Sequence, residues 1–291
     1  MEDILTLIFV FVDDFCKFLE PLLNKTLLQT GKKKRIRKSN LLLSESLTIL
    51  IGFQLSGFKT FKKYYQFIVK YHKKEFPNII SYSRFIAKEK ELILPLLAFF
   101  KLISADCDGE SYIDATSLPI CHTKREKSNK VFKGLAKKSK STMGWFFGFK
   151  LHLIVTQFGH PIMFNLTKGN VDDRNVCMSF FSKIVGDLYG DRGYIGQEFS
   201  RKLKAKTIRI VTYLRAKMRP QLVTEKDVKN LKKRNRIEGV FNVLKNNLNL
   251  QHTRHRSKAN FAVNIVSSLC AFSLRFYKDF LPKKMDALMI A

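Results

Sequence analysis

Ser111 to Cys121 reads SYIDATSLPIC. Its core, Tyr112-Ile113-Asp114-Ala115-Thr116, has the pattern of a strand with an acid in its middle. Asp is depleted in strands because its short polar side chain competes for the backbone. An ionised carboxylate inside a sheet is costly unless a cation or a hydrogen bond satisfies it. Asp114 therefore needs a partner elsewhere in the chain.

Downstream, FFGFKLHLIVT (Phe146 to Thr156) alternates around Lys150 and His152, as a strand does. Gly159-His160-Pro161 makes a turn, and IMFNLTK (Ile162 to Lys168) returns as the second strand of a hairpin. GNVDDRN (Gly169 to Asn175) reads as a turn in which Asp172 or Asp173 caps a helix. A further strand precedes YGDRGY at Tyr189 to Tyr194, and IRIVTYL (Ile208 to Leu214) is rich in β-formers. From Val228 the pattern becomes helical, clearest in RNRIEGVFNVLKNNL (Arg234 to Leu248), with Ile237, Phe241 and Leu244 on one face and Val240 beside them. Strand, hairpin, helix, strand, strand, helix is the order of a mixed α/β sheet.

Upstream, residues 1–105 look helical. Asp13 to Leu28 mixes apolar and polar positions at helical spacing, and Ser39-Asn40 caps a run carrying Leu42, Leu43, Leu47, Leu50 and Ile51. Pro77 and Pro95 punctuate later helices. Between the first two helices lies KKKRIRK: Lys32, Lys33, Lys34, Arg35, Arg37 and Lys38 are basic, which suits either a solvated connector or a phosphate-contacting segment. The late stretch Phe261 to Phe276, interrupted by Asn264, Ser267, Ser268 and Arg275, reads as a buried helix. The expected division is a helical region at 1–105, a mixed α/β domain at 106–280 and a tail at 281–291.

The chain has 291 residues with 53 Lys+Arg against 24 Asp+Glu, a formal charge of +29. Such an excess favours a polyanionic partner, nucleic acid before membrane. The apolar run Ile4 to Val12 is far short of the ~20 residues of a spanning helix and is flanked by acids, so neither a membrane span nor an export signal is expected, and the location is cytoplasmic. The five cysteines are scattered without a C-x-x-C pair, which argues against a disulfide framework and a structural zinc site.

Two more acids stand out. Asp191 lies between Gly190 and Arg192-Gly193, where backbone freedom lets a short acid project from a strand end. Glu238 sits in a helix crowded with Lys229, Lys232, Lys233, Arg234, Arg236 and Lys245; most such acids merely offset their neighbours. Asp114, Asp191 and Glu238 can share one point only with a positive charge there. A divalent ion such as Mg²⁺ or Mn²⁺ is the natural candidate, because hard oxygen ligands suit it. Spacing alone leaves other acid trios open.

The motifs SYIDATSLPICHTKR, VFKGLAKKSKSTMGWFFGFKLHLIVT, LTKGNVDDRN, GDLYGDRGYIG, RNRIEGVFNVLKN and HTRHRSKANF, in that order, resemble bacterial insertion-sequence transposases of the DDE class, closest to insertion-sequence family 982. VDDFCK, ESLTIL, QLSGFKTFKKYY and His72 to Asn78 extend the resemblance over nearly the whole chain. It implies an α/β RNase H-like catalytic domain, a mixed sheet flanked by helices, behind a helical N-terminal region. It also implies that Asp114, Asp191 and Glu238 are the catalytic, metal-holding triad with Mg²⁺ or Mn²⁺ as cofactor. Related transposases carry a Tyr, Arg, Glu, Lys signature around the glutamate. Arg234 and Lys245 fit it and are expected to contact DNA, while Leu231 stands where the tyrosine, itself a DNA contact, is expected.

The activity implied is cutting at the ends of the protein's own element, then joining the 3′ hydroxyl to target DNA by two-metal transesterification. Terminal inverted repeats and target DNA are the expected partners, with a homodimer holding two ends and association with the nucleoid. A nuclease without strand transfer, or a decayed copy that only binds DNA, are the alternatives.

Asp187 competes with Asp191, though the Gly-Asp-Arg-Gly-Tyr context favours Asp191. Lys245, two turns after Glu238, can face the same side of the helix and hold a phosphate. Arg254 and Arg256, in HTRHRS, are read as phosphate contacts. His122 is either a polar residue at a strand end or a DNA contact. Lys150 and His152 are read as the solvated face of the hairpin. Trp145, the single tryptophan, is read as a packed aromatic, with stacking on an unpaired base as the other possibility.

Overall fold

The computed structural model describes residues 2–31, 39–142, 144–213, 223–251 and 255–276. They form two compact units. One holds the N-terminal helices α1 (Glu2–Gln29), α2 (Leu43–Leu55), α3 (Phe61–Tyr71), α4 (Tyr82–Lys88) and α5 (Ile93–Ile103), together with α9 (Lys258–Leu274). In α1, Leu5, Ile8, Val12 and Phe15 recur at three- and four-residue spacing and are buried. The start of α2 differs from the cap expected at Ser39-Asn40. The helix begins at Leu43, and the Glu45 carboxylate reaches back to accept the Leu42 backbone N–H at 2.7 Å. Pro95 lies in the first turn of α5, where its missing N–H leaves no helical bond unmade.

Helix α9 is buried from Phe261 to Leu274 at almost every position. Its polar interruptions are satisfied inside the unit. The Gln54 Nε2 of α2 donates to Asn264 Oδ1 at 3.1 Å and to Ser267 Oγ at 2.9 Å, and Ser268 Oγ donates to the Leu248 carbonyl at 2.9 Å. Among the described residues, no helix is long and apolar enough to cross a membrane.

The other unit is built on a six-stranded mixed sheet: β1 (Glu110–Cys121), β2 (Lys137–Ser141), β3 (Gly144–Thr156), β4 (Pro161–Lys168), β5 (Gly186–Gly190) and β6 (Ile208–Thr212). β1 is central. It runs antiparallel to β3, with Asp114 opposite Leu153, and parallel to β5, which is parallel to β6. β4 and β2 pair antiparallel with successive stretches of β3. The hairpin expected from Phe146 to Lys168 is β3–β4. At Gly148 β1 and β3 come so close that a Cβ would lie 2.1 Å from the Leu118 carbonyl oxygen, so only glycine fits.

Alternation along β1 sends neighbouring side chains to opposite faces. Ile113 joins Ile154, Phe181, Leu188, Phe199, Leu203 and Ile208 in the core beneath α6 (Gln197–Lys204). Tyr112 stacks on Tyr189 of β5 with centroids 5.4 Å apart. On that side lies α7 (Glu225–Lys233), whose Asn230 donates to the Tyr189 hydroxyl at 3.1 Å. The helical run expected from Val228 is broken in two. α7 ends at Lys233, Arg234 turns the chain, and α8 (Asn235–Asn246) begins. Ile237, Val240, Phe241 and Leu244 of α8 are buried. The architecture is a mixed α/β, RNase H-like fold: a curled mixed sheet flanked by helices, preceded by a helical N-terminal region.

Candidate active site

Parallel pairing of β1 with β5 matches Glu110 to Asp187 and Tyr112 to Tyr189. Carried two residues further, that register brings Asp114 level with Asp191, the residue that follows β5. The carboxyl ends of adjacent parallel strands are where open α/β sheets present functional groups. Asp191 Oδ1 accepts the Arg192 N–H at 2.7 Å and caps a 3-10 turn at Arg192–Tyr194, which fixes its direction. Neither Gly190 nor Gly193 has a positive φ, contrary to the backbone-freedom argument. Gly190 is there for space, since a Cβ would lie 3.1 Å from Ile113 and 3.2 Å from Tyr194.

Glu238 comes from α8, and Arg234 joins it to the sheet. The Arg234 guanidinium donates to Asp114 Oδ2 at 3.4 Å and to Glu238 Oε1 at 2.9 Å. Its side chain is 16% exposed, against 56% for Glu238. Asp114 Oδ1 accepts the Ala115 N–H at 2.8 Å. Burial pushes the Asp114 carboxyl up to about 6; the Ala115 N–H and Arg234 pull it down, and the charges of Asp191 and Glu238 push it further up. Asp114 thus feels the charges of both other acids. Leu231, in place of the expected tyrosine, is buried and apolar.

Asp187 has other business. It receives Arg209 of β6 through Nε at 2.7 Å and Nη2 at 2.9 Å. The same guanidinium grips the fully buried Asp227 of α7 at 3.0 and 2.7 Å and holds that carboxyl down at about 2. Asp227 also closes a capping box with Thr224. This ion-pair cluster ties β5, β6 and α7 together.

Lys150 and His152 are not a solvated face. His152 is fully buried, its Nε2 2.8 Å from Thr167 Oγ1 of β4. The Lys150 ammonium donates to Asp173 Oδ1 and to the Val171 carbonyl, each at 3.0 Å. The helix expected after Gly169 is replaced by short 3-10 turns; Asp172 caps the first, Asp173–Asn175, and is held by Arg174 in a two-point ion pair. Lys150, Asp172, Asp173 and Arg174 line a pocket of about 310 Å³ with Arg192, Gly193 and Ile195. Burial drives the Tyr194 hydroxyl well above its ordinary value, and Asp173, Asp114 and Asp191 add to the rise. Asp173 thus stands near two of the predicted acids. The sequence signals for it were Lys150 inside a mostly apolar strand and the acid pair Asp172-Asp173, read as caps in preference to ligands.

Of the predicted DNA contacts, Lys32, Lys33, Lys34, Arg35, Arg37, Lys38 and Arg254 lie outside the described residues. Arg256 is exposed, Arg234 is engaged by two carboxylates, and burial lowers the pKa of Lys245. His122 Nδ1 accepts the Lys124 N–H and starts a 3-10 turn. The tail from 281 also lies outside the described residues.

The acid set has the chemistry that suits a hard divalent ion: carboxylate oxygens, without thiol or imidazole. As the side chains lie, no three acidic, thiol or imidazole groups among the described residues stand close enough to share an ion, and the Arg234 guanidinium bridges Asp114 and Glu238.

No match is found among curated proteins or among solved structures. The family model for the transposase DDE domain matches residues 104–258, more than half of the chain and the whole span from β1 to α8. DNA is the partner and a divalent metal the cofactor that this family implies. The strand order, Asp114 on β1 level with Asp191 after β5, and the matched span lead to one assignment: the chain belongs to the DDE-domain transposases.

Proposed function

We propose that the protein cuts DNA at the ends of its own insertion sequence and joins the freed 3′ hydroxyl to target DNA, as a member of insertion-sequence family 982. Asp114, Asp191 and Glu238 would hold Mg²⁺ or Mn²⁺. The observation that carries this reading is that Arg234 reaches both Asp114 of β1, at 3.4 Å, and Glu238 of α8, at 2.9 Å, while the β1–β5 register sets Asp191 level with Asp114. The chemistry such ions supply is activation of the attacking oxygen and stabilisation of the charge on the leaving one.

The chain's own part is positioning. Asp114 is anchored by the Ala115 N–H, Asp191 by the Arg192 N–H. Arg234 orients Asp114 and Glu238 and offsets their charge, and must release one of them for all three to close on one ion. No covalent protein intermediate is needed, because orientation and charge stabilisation suffice for phosphoryl transfer. Residues 1–105, Arg254 and Arg256 would bind the terminal inverted repeats, and a homodimer would hold two ends.

Purified protein incubated with DNA bearing the element's ends, with and without Mg²⁺, tests this. Metal-dependent cleavage and joining are expected. Asp191→Asn should lose both by at least about 10³-fold while keeping DNA binding. Asp187→Asn should retain chemistry and lose about 1 kcal/mol of stability. Cleavage surviving in Asp191→Asn, or lost only in Asp187→Asn, would overturn the placement of the second carboxylate. Cleavage without joining would make the protein a nuclease.

A further inference from the structure

Trp145, expected to be packed, is 61% exposed. It opens β3 just after the turn from β2, and its cross-strand partner is Lys140. The Lys138 ammonium lies 5.1 Å from the centre of its ring. Cross-strand partners share a face, and so do residues two apart on one strand. Lys138, Lys140 and Trp145 thus form one face of the β2–β3 hairpin, and both lysines are exposed. Lysines on an edge strand commonly block pairing with a second sheet. That accounts for the charges of β2 and leaves the indole unexplained.

An exposed indole sharing a face with two lysines is complementary to a nucleotide: the ring offers a flat π-face, and the ammonium groups meet phosphates. In a duplex both faces of each base are already covered by their neighbours, so the ring needs a base out of the stack. We propose that the β2–β3 hairpin binds unpaired DNA, with Trp145 stacked on a base and Lys138 and Lys140 against the flanking phosphates. The proposal rests on the reading of the protein as acting on DNA. The hairpin tip is remote from the chemistry: Trp145 is eight residues along β3 from Leu153, which faces Asp114, roughly 25 Å of strand.

Because Trp145 is the single tryptophan, its fluorescence reports this site alone. The full chain, without divalent metal, is titrated with an end-labelled single-stranded oligonucleotide and with the blunt duplex of the same sequence. Label anisotropy reads binding, and tryptophan emission reads stacking. The expected result is emission quenched by half or more with the single strand, tracking the anisotropy, and a much smaller change with the duplex. Trp145→Ala should weaken single-strand affinity roughly 5- to 100-fold, as loss of one stacked base does, and Trp145→Phe should restore most of it. Lys138→Gln with Lys140→Gln should lower the salt slope by up to about 1.4.

Binding with unchanged emission and an unaffected Trp145→Ala variant would overturn the hairpin site while leaving the DNA reading intact. Absence of binding to either DNA would overturn both. Emission already blue-shifted in the free protein, and rising with protein concentration, would mean that a second copy covers the ring, and would also overturn the site.

Discussion

Arg234 is the residue on which the charges of the site turn. It sits in the break between α7 and α8 and spans Asp114 and Glu238. A metal ligand must be ionised, and protons compete for a carboxyl pushed up to about 6. Divalent-ion affinity should therefore be level above neutrality and fall as pH drops through about 6. Arg234 pulls that carboxyl down, so Arg234→Gln should move the fall to higher pH. Above pH 8 the variant, free of a competing cation, should bind Mn²⁺ roughly 3- to 10-fold tighter. Calorimetric Mn²⁺ titrations from pH 5 to 8.5 check this. A pH-independent affinity, or a midpoint moved downward in the variant, would sink it. That Arg234 belongs beside Glu238 is readable from a four-residue helical spacing. Its contact with Asp114 crosses 120 residues, and no local pattern encodes it.

At the scale of elements, Glu89 shows how a helix junction carries a titrating group. It lies in the 3-10 turn Glu89–Leu92 before α5, is buried, and accepts a hydrogen bond from the Asn260 amide in the first turn of α9. Burial raises its carboxyl from an ordinary 4.5 to about 8. The folded state thus holds a proton that the unfolded state has lost, and the sign follows. Stability is level below about 4.5, falls as pH rises toward about 8, and is level again above. Glu89→Gln keeps an acceptor for Asn260 and removes the ionisation. It should leave stability near pH 4 little changed and raise it by about 1–3 kcal/mol at pH 9. Urea unfolding at the two pH values measures the difference, and parallel pH curves for the two proteins would refute it. The elements themselves were mostly legible, because strand alternation and helical spacing are local. The break at Arg234 and the cap at Glu45 were not, since each depends on what the flanking residues pack against.

At the scale of the whole molecule the charge of +29 dominates. A chain neutralising six to ten DNA phosphates should lose roughly 10³- to 10⁵-fold in affinity between 50 and 200 mM salt. Anisotropy titrations at several salt concentrations give the slope, and a slope near zero would mean that these cations do not meet phosphates. Net charge, most strands and helices, and the mixed α/β class were determined by the sequence itself, because each depends on residue type or on spacing within about a dozen positions. Tertiary structure alone decided which acids are paired with which cations: Arg209 took Asp187 and Asp227, Lys150 took Asp173, and Arg234 joined Asp114 to Glu238. It also left Trp145 in water. Pairing and exposure depend on strand register and on which face a helix covers, and chain neighbours carry no record of either.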